Sequence, residues 1–309
     1  MHSPIFMLGA LRSGTTVFRL MLDSHEHLRC PDETDFIFDY LNKKLTSNDW
    51  GYDLEGLRLD RIFQTHNLSI PSSEDGKEIA HDFVKQLGRR SPGILCLSIH
   101  RNADKVAAVF PGCKIIHLIR DPRDVASSCV SMGWAGNTYY GVDHWLQTES
   151  NWESAASLFG EQDVLELRFK ELILNPRAQL ERVCRFIGVS FSSAMLNYSE
   201  KSTYAPPDPS AIEQWKTKLG PREIALVEIK SKSLLLRRNY ELSGYSLEPP
   251  GLPERLALFL ANKAYKWRFG VHRYGTVNFI MEKITRRLLK PFYPIFRQRI
   301  NEIDEQYLK

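Results

Sequence analysis

Apolar positions along this chain fall into two rhythms. Three runs are short and almost continuously apolar: PIFMLG at 4–9, ILCLSI at 94–99 and CKIIHLI at 113–119. A fourth, DVLELRF at 163–169, alternates. Runs of this length predict strands, and the continuous ones predict strands buried on both faces of a parallel sheet. Between them the apolar spacing is helical. Val17, Leu20, Met21 and Leu22 predict a helix over 16–23, and Ile79, Phe83 and Leu87 mark one over 73–89. Further helices are predicted over 102–109, from Pro122 onward (Val125, Ala126 and Cys129 inward), over 143–159 (Trp145 and Trp152), over 176–187 and over 222–235. Strands alternating with helices predict an α/β chain: a three-layer fold with a central parallel sheet flanked by helices.

The clearest punctuation is Glu248-Pro249-Pro250-Gly251. A boundary there gives a domain over 1–250 and a helical C-terminal extension over 251–309. Two helices are expected in the extension, over 252–269 and 276–290. Their apolar faces would carry Leu252, Leu256, Phe259, Leu260 and Trp267 on the first, and Val277, Ile280, Ile284 and Leu288 on the second.

Length and composition bound the rest. The chain has 309 residues, 43% hydrophobic and 25% charged, which excludes a disordered or fibrous protein. Net charge is only +4, too small to imply nucleic acid. That charge is unevenly placed: from Gly251 to Lys309, 12 Lys or Arg face 5 Asp or Glu. Basic amphipathic helices of this kind pack on their own domain, on a second copy, or on an anionic membrane. No 18-residue apolar run occurs and the first residues lack a signal-peptide pattern, so a cytoplasmic or peripheral-membrane setting is the expectation. The five cysteines (30, 96, 113, 129 and 184) show no metal-ligand spacing, and no metal is expected.

The chemistry-bearing signal follows the first predicted strand. Gly9-Ala-Leu-Arg-Ser-Gly-Thr15-Thr16 has the spacing of a phosphate loop between a strand and a helix. Its backbone N–H groups would curl round an anion at the helix N-terminus. Thr15 stands where a nucleotide triphosphatase has its lysine, which suits a donor with fewer phosphates. Arg12 would supply the cation. A second site follows the third strand, in Ile-Arg120-Asp-Pro-Arg-Asp-Val-Ala-Ser-Ser128. Arg120 sits at a strand's carboxyl end and Ser128 about two helical turns on, so both could reach one phosphate.

Together these two motifs resemble the sulfotransferases that use 3′-phosphoadenosine 5′-phosphosulfate (PAPS), over about residues 5–235. The resemblance implies a P-loop NTPase-like fold, PAPS as donor and 3′-phosphoadenosine 5′-phosphate (PAP) as product. It implies that Arg12, Ser13, Gly14, Thr15 and Thr16 cradle the 5′-phosphosulfate, and that Arg120 and Ser128 bind the 3′-phosphate. Trp215-Lys216 before Leu219-Gly-Pro looks like the family's late segment near the cofactor. Phe169-Lys-Glu-Leu172 matches the stretch whose aromatic packs on adenine. The segment from Arg12 to Thr34 looks most like tyrosylprotein sulfotransferases and their bacterial relatives, in which a Glu in the register of Glu33 is the catalytic base.

The implied reaction is in-line transfer of a sulfuryl group to a hydroxyl acceptor: a carbohydrate or glycolipid, a small alcohol or phenol, or a peptide tyrosine. Glu33 would take the acceptor proton, its pKa raised by Asp32 and Asp35, and Arg12 would stabilise the bridging oxygen. His100 is the alternative base. Two departures stand out. The family's catalytic lysine position is Ser98 here, so either His100 or Arg101 substitutes or this branch has different acceptor chemistry. Cys30 and Cys96 fall near a disulfide of the tyrosylprotein group, which implies pairing only in an oxidising compartment. Specificity is expected in the segment 36–91, which carries no motif. The competing readings are a P-loop small-molecule kinase, which Thr15 disfavours, and a catalytically idle PAP-binding homologue. Peripheral membrane contact or a homodimer through the extension completes the expectations.

Overall fold

Seven strands occur among the residues described in this computed structural model, 3–44, 49–90 and 92–307. They are β1 (Ile5–Gly9), β2 (Leu28–Arg29), β3 (Leu41–Lys43), β4 (Trp50–Tyr52), β5 (Ile94–Ile99), β6 (Ile115–Ile119) and β7 (Val164–Arg168). Five of them make one sheet in the order β2-β5-β1-β6-β7 with every neighbouring pair parallel. β3 and β4 form a separate antiparallel hairpin.

The continuous apolar runs are buried on both faces. Along β1, Phe6 and Leu8 pack into one core with the helices Gly76–Arg90 and Ala103–Val109. Ile5 and Met7 pack into the other, with the helices Thr15–Asp23 and Pro176–Ile187. This period-two division is why β1 reads as unbroken apolar sequence. Phe36, Phe63 and Phe83 meet edge to face above the first core, each pair worth about 1 kcal/mol beyond its buried area.

The structure contains the expected helix-flanked parallel sheet, with differences at its margins. A fifth strand, β2, was not legible, because two residues are too few to show a period. Phe169 ends no strand; it opens the helix Phe169–Leu174. The helix after Ser73 begins at Gly76, where Ser73 Oγ accepts from Asp75 N–H and Asp75 Oδ1 from Lys77 N–H in the first turn. Of the acceptor-specificity segment 36–91, residues 45–48 and Ser91 lie outside the described residues, as do Met1, His2 and the last two residues of the extension.

The C-terminal extension differs most. It has three long helices, Leu252–Tyr274, Thr276–Arg287 and Tyr293–Tyr307. The first lies on the segment after the helix Pro122–Ser131: Asn262 Oδ1 accepts from Gly136 N–H at 2.7 Å, and Tyr265 OH donates to the Val130 carbonyl at 3.1 Å. The last reaches the opposite side, where Asn301 Nδ2 donates to the Leu59 carbonyl at 3.0 Å. The packing faces are not the expected ones. Leu252, Leu256 and Leu260 point outward, as do Val277 and Leu288, while Asn262, Gly270, Phe279, Glu282 and Thr285 face inward. Polar side chains that bond to backbone, and small ones that allow close approach, took the inner face.

Candidate active site

β1 ends at the phosphate loop. Gly14 caps the following helix at φ +90°, and a Cβ there would run into the Phe169 ring. Only glycine meets both demands. Arg12 also holds a left-handed backbone, φ +70°, at a cost of about 1 kcal/mol. Its Nε donates to Ser128 Oγ at 3.0 Å. Arg120 Nη1 donates to the Arg12 carbonyl at 3.0 Å, and its Nη2 to the Ala211 carbonyl at 2.7 Å. The loop and the second motif, more than 100 residues apart, are thus joined.

Arg120 is a largely buried cation whose Nε has no hydrogen-bond partner. Burial lowers its pKa, Asp124 at 3.9 Å counters this, and the Arg12 charge adds to the lowering. Its guanidinium stacks 4.4 Å from the Phe169 ring centroid. Phe169 is itself buried, with Gly14 and Arg120 against it. Trp215 is tied to the same region through Asp124, which accepts from its backbone N–H at 2.9 Å. Arg123 lies 3.8 Å from the Trp215 ring centroid. Lys216 pairs with Glu213, which Lys170 also holds at 2.8 Å. Trp215, Lys216, Lys170 and Tyr240 line a cavity of about 550 Å³ beside Arg120. Ser13 Oγ, Arg120 Nε and Trp215 Nε1 are buried without a hydrogen-bond partner. Thr16 is half-buried in the first turn of the loop's helix.

Glu33 reaches the same end of the sheet. β2 runs beside β5, and Thr34 then donates both its N–H and its hydroxyl to the Ser98 carbonyl, at 2.9 and 2.8 Å. The family-lysine position is therefore a buried backbone anchor for the Glu33 segment. His66 Nε2 lies 3.0 Å from the Glu33 carbonyl. The half-buried Glu33 carboxylate acts through space on His100. Its neighbours each have a cation of their own: Asp32 pairs with Arg19 at 3.3 Å and Asp35 with His100. The expected crowding of bare carboxylates around Glu33 is absent.

The pair His100–Asp35 was not legible, because 65 residues separate its members. Asp35 Oδ1 accepts from the His100 backbone N–H at 2.8 Å, and Asp35 Oδ2 lies 2.5 Å from His100 Nδ1. His100 Nε2 faces Thr15 Oγ1 at 3.3 Å, in the phosphate loop. Thr148 fixes the position by donating to the His100 carbonyl at 2.7 Å. Burial would neutralise both partners, but each outweighs it for the other: His100 is raised and Asp35 lowered. Arg101, the other substitute for the lysine, is turned away into a two-pronged ion pair with Asp39.

Cys30 and Cys96 are buried free thiols. Burial and a hydrogen bond with Cys96 push the Cys30 thiol well up. No cluster of three or more His, Cys, Asp or Glu suited to a metal occurs among the described residues. No helix among them is long and apolar enough to cross a membrane.

Residues 4–193 match the family model described as "Sulfotransferase family". The chain belongs to the sulfotransferase family. Curated relatives of this sulfotransferase-family chain include protein-tyrosine sulfotransferase A of Caenorhabditis elegans, 27% identical over 211 residues, and protein-tyrosine sulfotransferase of Drosophila melanogaster, 27% identical over 207. Each match covers 63% of this chain, and 52% and 40% of the two relatives, so the chain spans about half their length. In fold, the chain resembles the sulfotransferase domain of the curacin biosynthetic pathway (TM-score 0.56, 20% identity, 78% of this chain and 99% of that one). It also resembles the sulfotransferase domain of a Synechococcus olefin synthase (TM-score 0.54, 19% identity, 74% and 94%). The extension lies beyond the family match.

Proposed function

We propose that the chain transfers the sulfuryl group of PAPS to a hydroxyl acceptor. The observation that carries this reading is the junction of Arg12, Ser128 and Arg120. Two guanidinium groups are held together at the carboxyl ends of β1 and β6, one of them buried with an unpartnered Nε. A fold that accepts such repulsion is suited to an anion between them. The donor set fits PAPS: loop N–H groups and Arg12 for the phosphosulfate, Arg120 and Ser128 for the 3′-phosphate. The 550 Å³ cavity by Trp215 and Lys216 suits the adenosine end. Phe169 then serves from below, holding Arg120 and Gly14 in place.

PAPS supplies an activated sulfuryl group, which needs no obligatory metal. Glu33 takes the proton of the attacking hydroxyl. His100, its pKa raised by Asp35 against its burial, turns Nε2 toward the phosphate loop and takes the role left by Ser98. Arg12 and the helix N-terminus neutralise the charge that develops on the leaving phosphate.

Titration with PAP against ATP tests the donor: PAP binding with ATP weak supports the reading, and the reverse order supports the kinase. Labelled sulfuryl transfer to sugars, glycolipids, phenols and tyrosine peptides tests the reaction. PAP binding without transfer to any acceptor class would leave an idle homologue.

A further inference from the structure

The extension, which lies outside the family match, closes a second cavity of about 520 Å³ against the domain. It is walled by the helices Leu252–Tyr274 and Thr276–Arg287, by Met132–Trp134 on one side and by Arg61 on the other. Both flanks lead to the proposed reaction centre. The Arg12 guanidinium lies over the Trp134 ring, 5.9 Å from its centroid, and the His144 ring is 5.7 Å away between centroids. Arg61 opens the helix Arg61–His66, whose last residue contacts the Glu33 carbonyl. The cavity therefore shares its Trp134 wall with Arg12, and its Arg61 flank leads along one short helix to the backbone of Glu33.

Its lining has one dominant charge. Lys263, Lys266, Lys283, Arg286 and Arg287 all border it. Of the acids, Asp304 is taken by Arg273 at 2.9 Å, and Glu282 lies 3.7 Å from Arg286. Burial lowers the pKa of Lys283, and Arg286, Lys266 and Arg287 add to that by repulsion. His144 is lowered by burial and by Lys266. Aromatic walls from Trp134, Trp267 and Phe279 alternate with these cations. Cations that are crowded and only partly paired, around a cavity of ligand size, call for a polyvalent anion.

Resting on the PAPS reading above, we propose that this cavity is the acceptor pocket and that the acceptor is a polyol carrying an anionic ester, a phosphate or a sulfate. The extension grips the anion through Lys266, Arg286 and Arg287, and the aromatic walls hold the carbon skeleton, so that a hydroxyl is presented between Glu33 and Arg12. The same headgroup chemistry occurs in soluble sugar phosphates and in phosphoinositides. The outward-facing Leu252, Leu256, Leu260 and Leu288 of the extension would meet a bilayer in the second case.

The test uses the full chain saturated with PAP, so that the donor site cannot take the probe. Calorimetry with myo-inositol 1-phosphate reads the soluble source, and flotation with phosphatidylcholine vesicles doped with phosphatidylinositol reads the lipid source. Binding to either probe is expected, weakened at least about tenfold by Lys266→Glu and by Arg287→Glu, the size of one lost charge-assisted hydrogen bond. Lys232→Glu, on the helix Pro221–Arg237, is the control and leaves binding unchanged. Binding to vesicles alone assigns the lipid source. No binding to either probe, or binding that both reversals leave intact, overturns the pocket. Failure of PAP itself to bind is a separate result: it removes the donor assignment, and the probes then report on the basic cavity alone.

Discussion

His100 and Asp35 are locked together at 2.5 Å, with the far nitrogen of the imidazole 3.3 Å from Thr15 in the phosphate loop. The pair holds the imidazole against the phosphate loop, where sulfuryl transfer is proposed. Its pH behaviour has a definite sign. His100 is raised above 6.5, so its contribution is present below that value and is lost as pH climbs through the folded pKa. Asp35 is lowered from 3.8, so its contribution is present above that value and is lost as pH falls through the folded pKa.

Turnover is accordingly expected to fall on the alkaline side as His100 loses its proton. His100→Gln should lower kcat about 10²-fold and flatten that limb, as removal of one preorganised donor does. Asp35→Asn should move the limb to lower pH. A pH–kcat profile of sulfuryl transfer checks both, and a limb that stays in place in His100→Gln assigns it to another group.

The proposed base, Glu33, rests on different grounds. Its segment is anchored through backbone groups, Thr34 to Ser98 and His66 to the Glu33 carbonyl, so the side chain is replaceable without moving the chain. Glu33→Gln should cost about 10²–10⁴ in kcat, the span of a general base, with PAP affinity unchanged. Calorimetry with PAP and single-turnover transfer separate the two effects. Full turnover in this variant would hand the role to another residue.

Ser128 and Arg120 are assigned to the 3′-phosphate, which gives a comparison between ligands. Ser128→Ala should weaken PAP about tenfold. It should leave adenosine 5′-phosphosulfate, which lacks that phosphate, nearly untouched. Equal losses for both nucleotides would place Ser128 on the 5′ side, through its bond to Arg12.

What the sequence revealed of this architecture follows from how local each signal is. β1, the loop and the helix at Thr15 lie within 20 residues, and their rhythm and glycines mark them together. Arg120 and Ser128 lie within one strand–helix turn. The His100–Asp35 pair and the cavity beneath the extension depend instead on contacts across the chain, such as Asn301 with Leu59, that leave no period. The extension misled for a further reason. Its most apolar stripe faces outward, while the inner face is made by Asn262, Gly270 and Thr285, which no hydrophobic pattern marks. The sheet's fifth strand was missed because two residues show no alternation.

Among the extension's contacts with the domain, the one at Gly133 is the tightest packed. Gly133 has φ +76°, and a Cβ there would run into the Phe269 ring of the helix Leu252–Tyr274. Gly133→Ala meets a left-handed backbone and an overpacked ring at once, together costing about 2 kcal/mol or more. The helix should lift from the segment Met132–Gly136, taking with it the bond from Gly136 N–H to Asn262. Amide exchange would then rise in residues 252–274 while β1, β5 and β6 keep their protection. PAP affinity should hold, because the donor residues lie within the first 220. Binding of myo-inositol 1-phosphate should fall, because one wall of the cationic cavity has moved. Unchanged exchange in that helix would show that Phe269 swings aside. Lost PAP binding would show that the extension supports the donor loop as well, through Trp134 and Arg12.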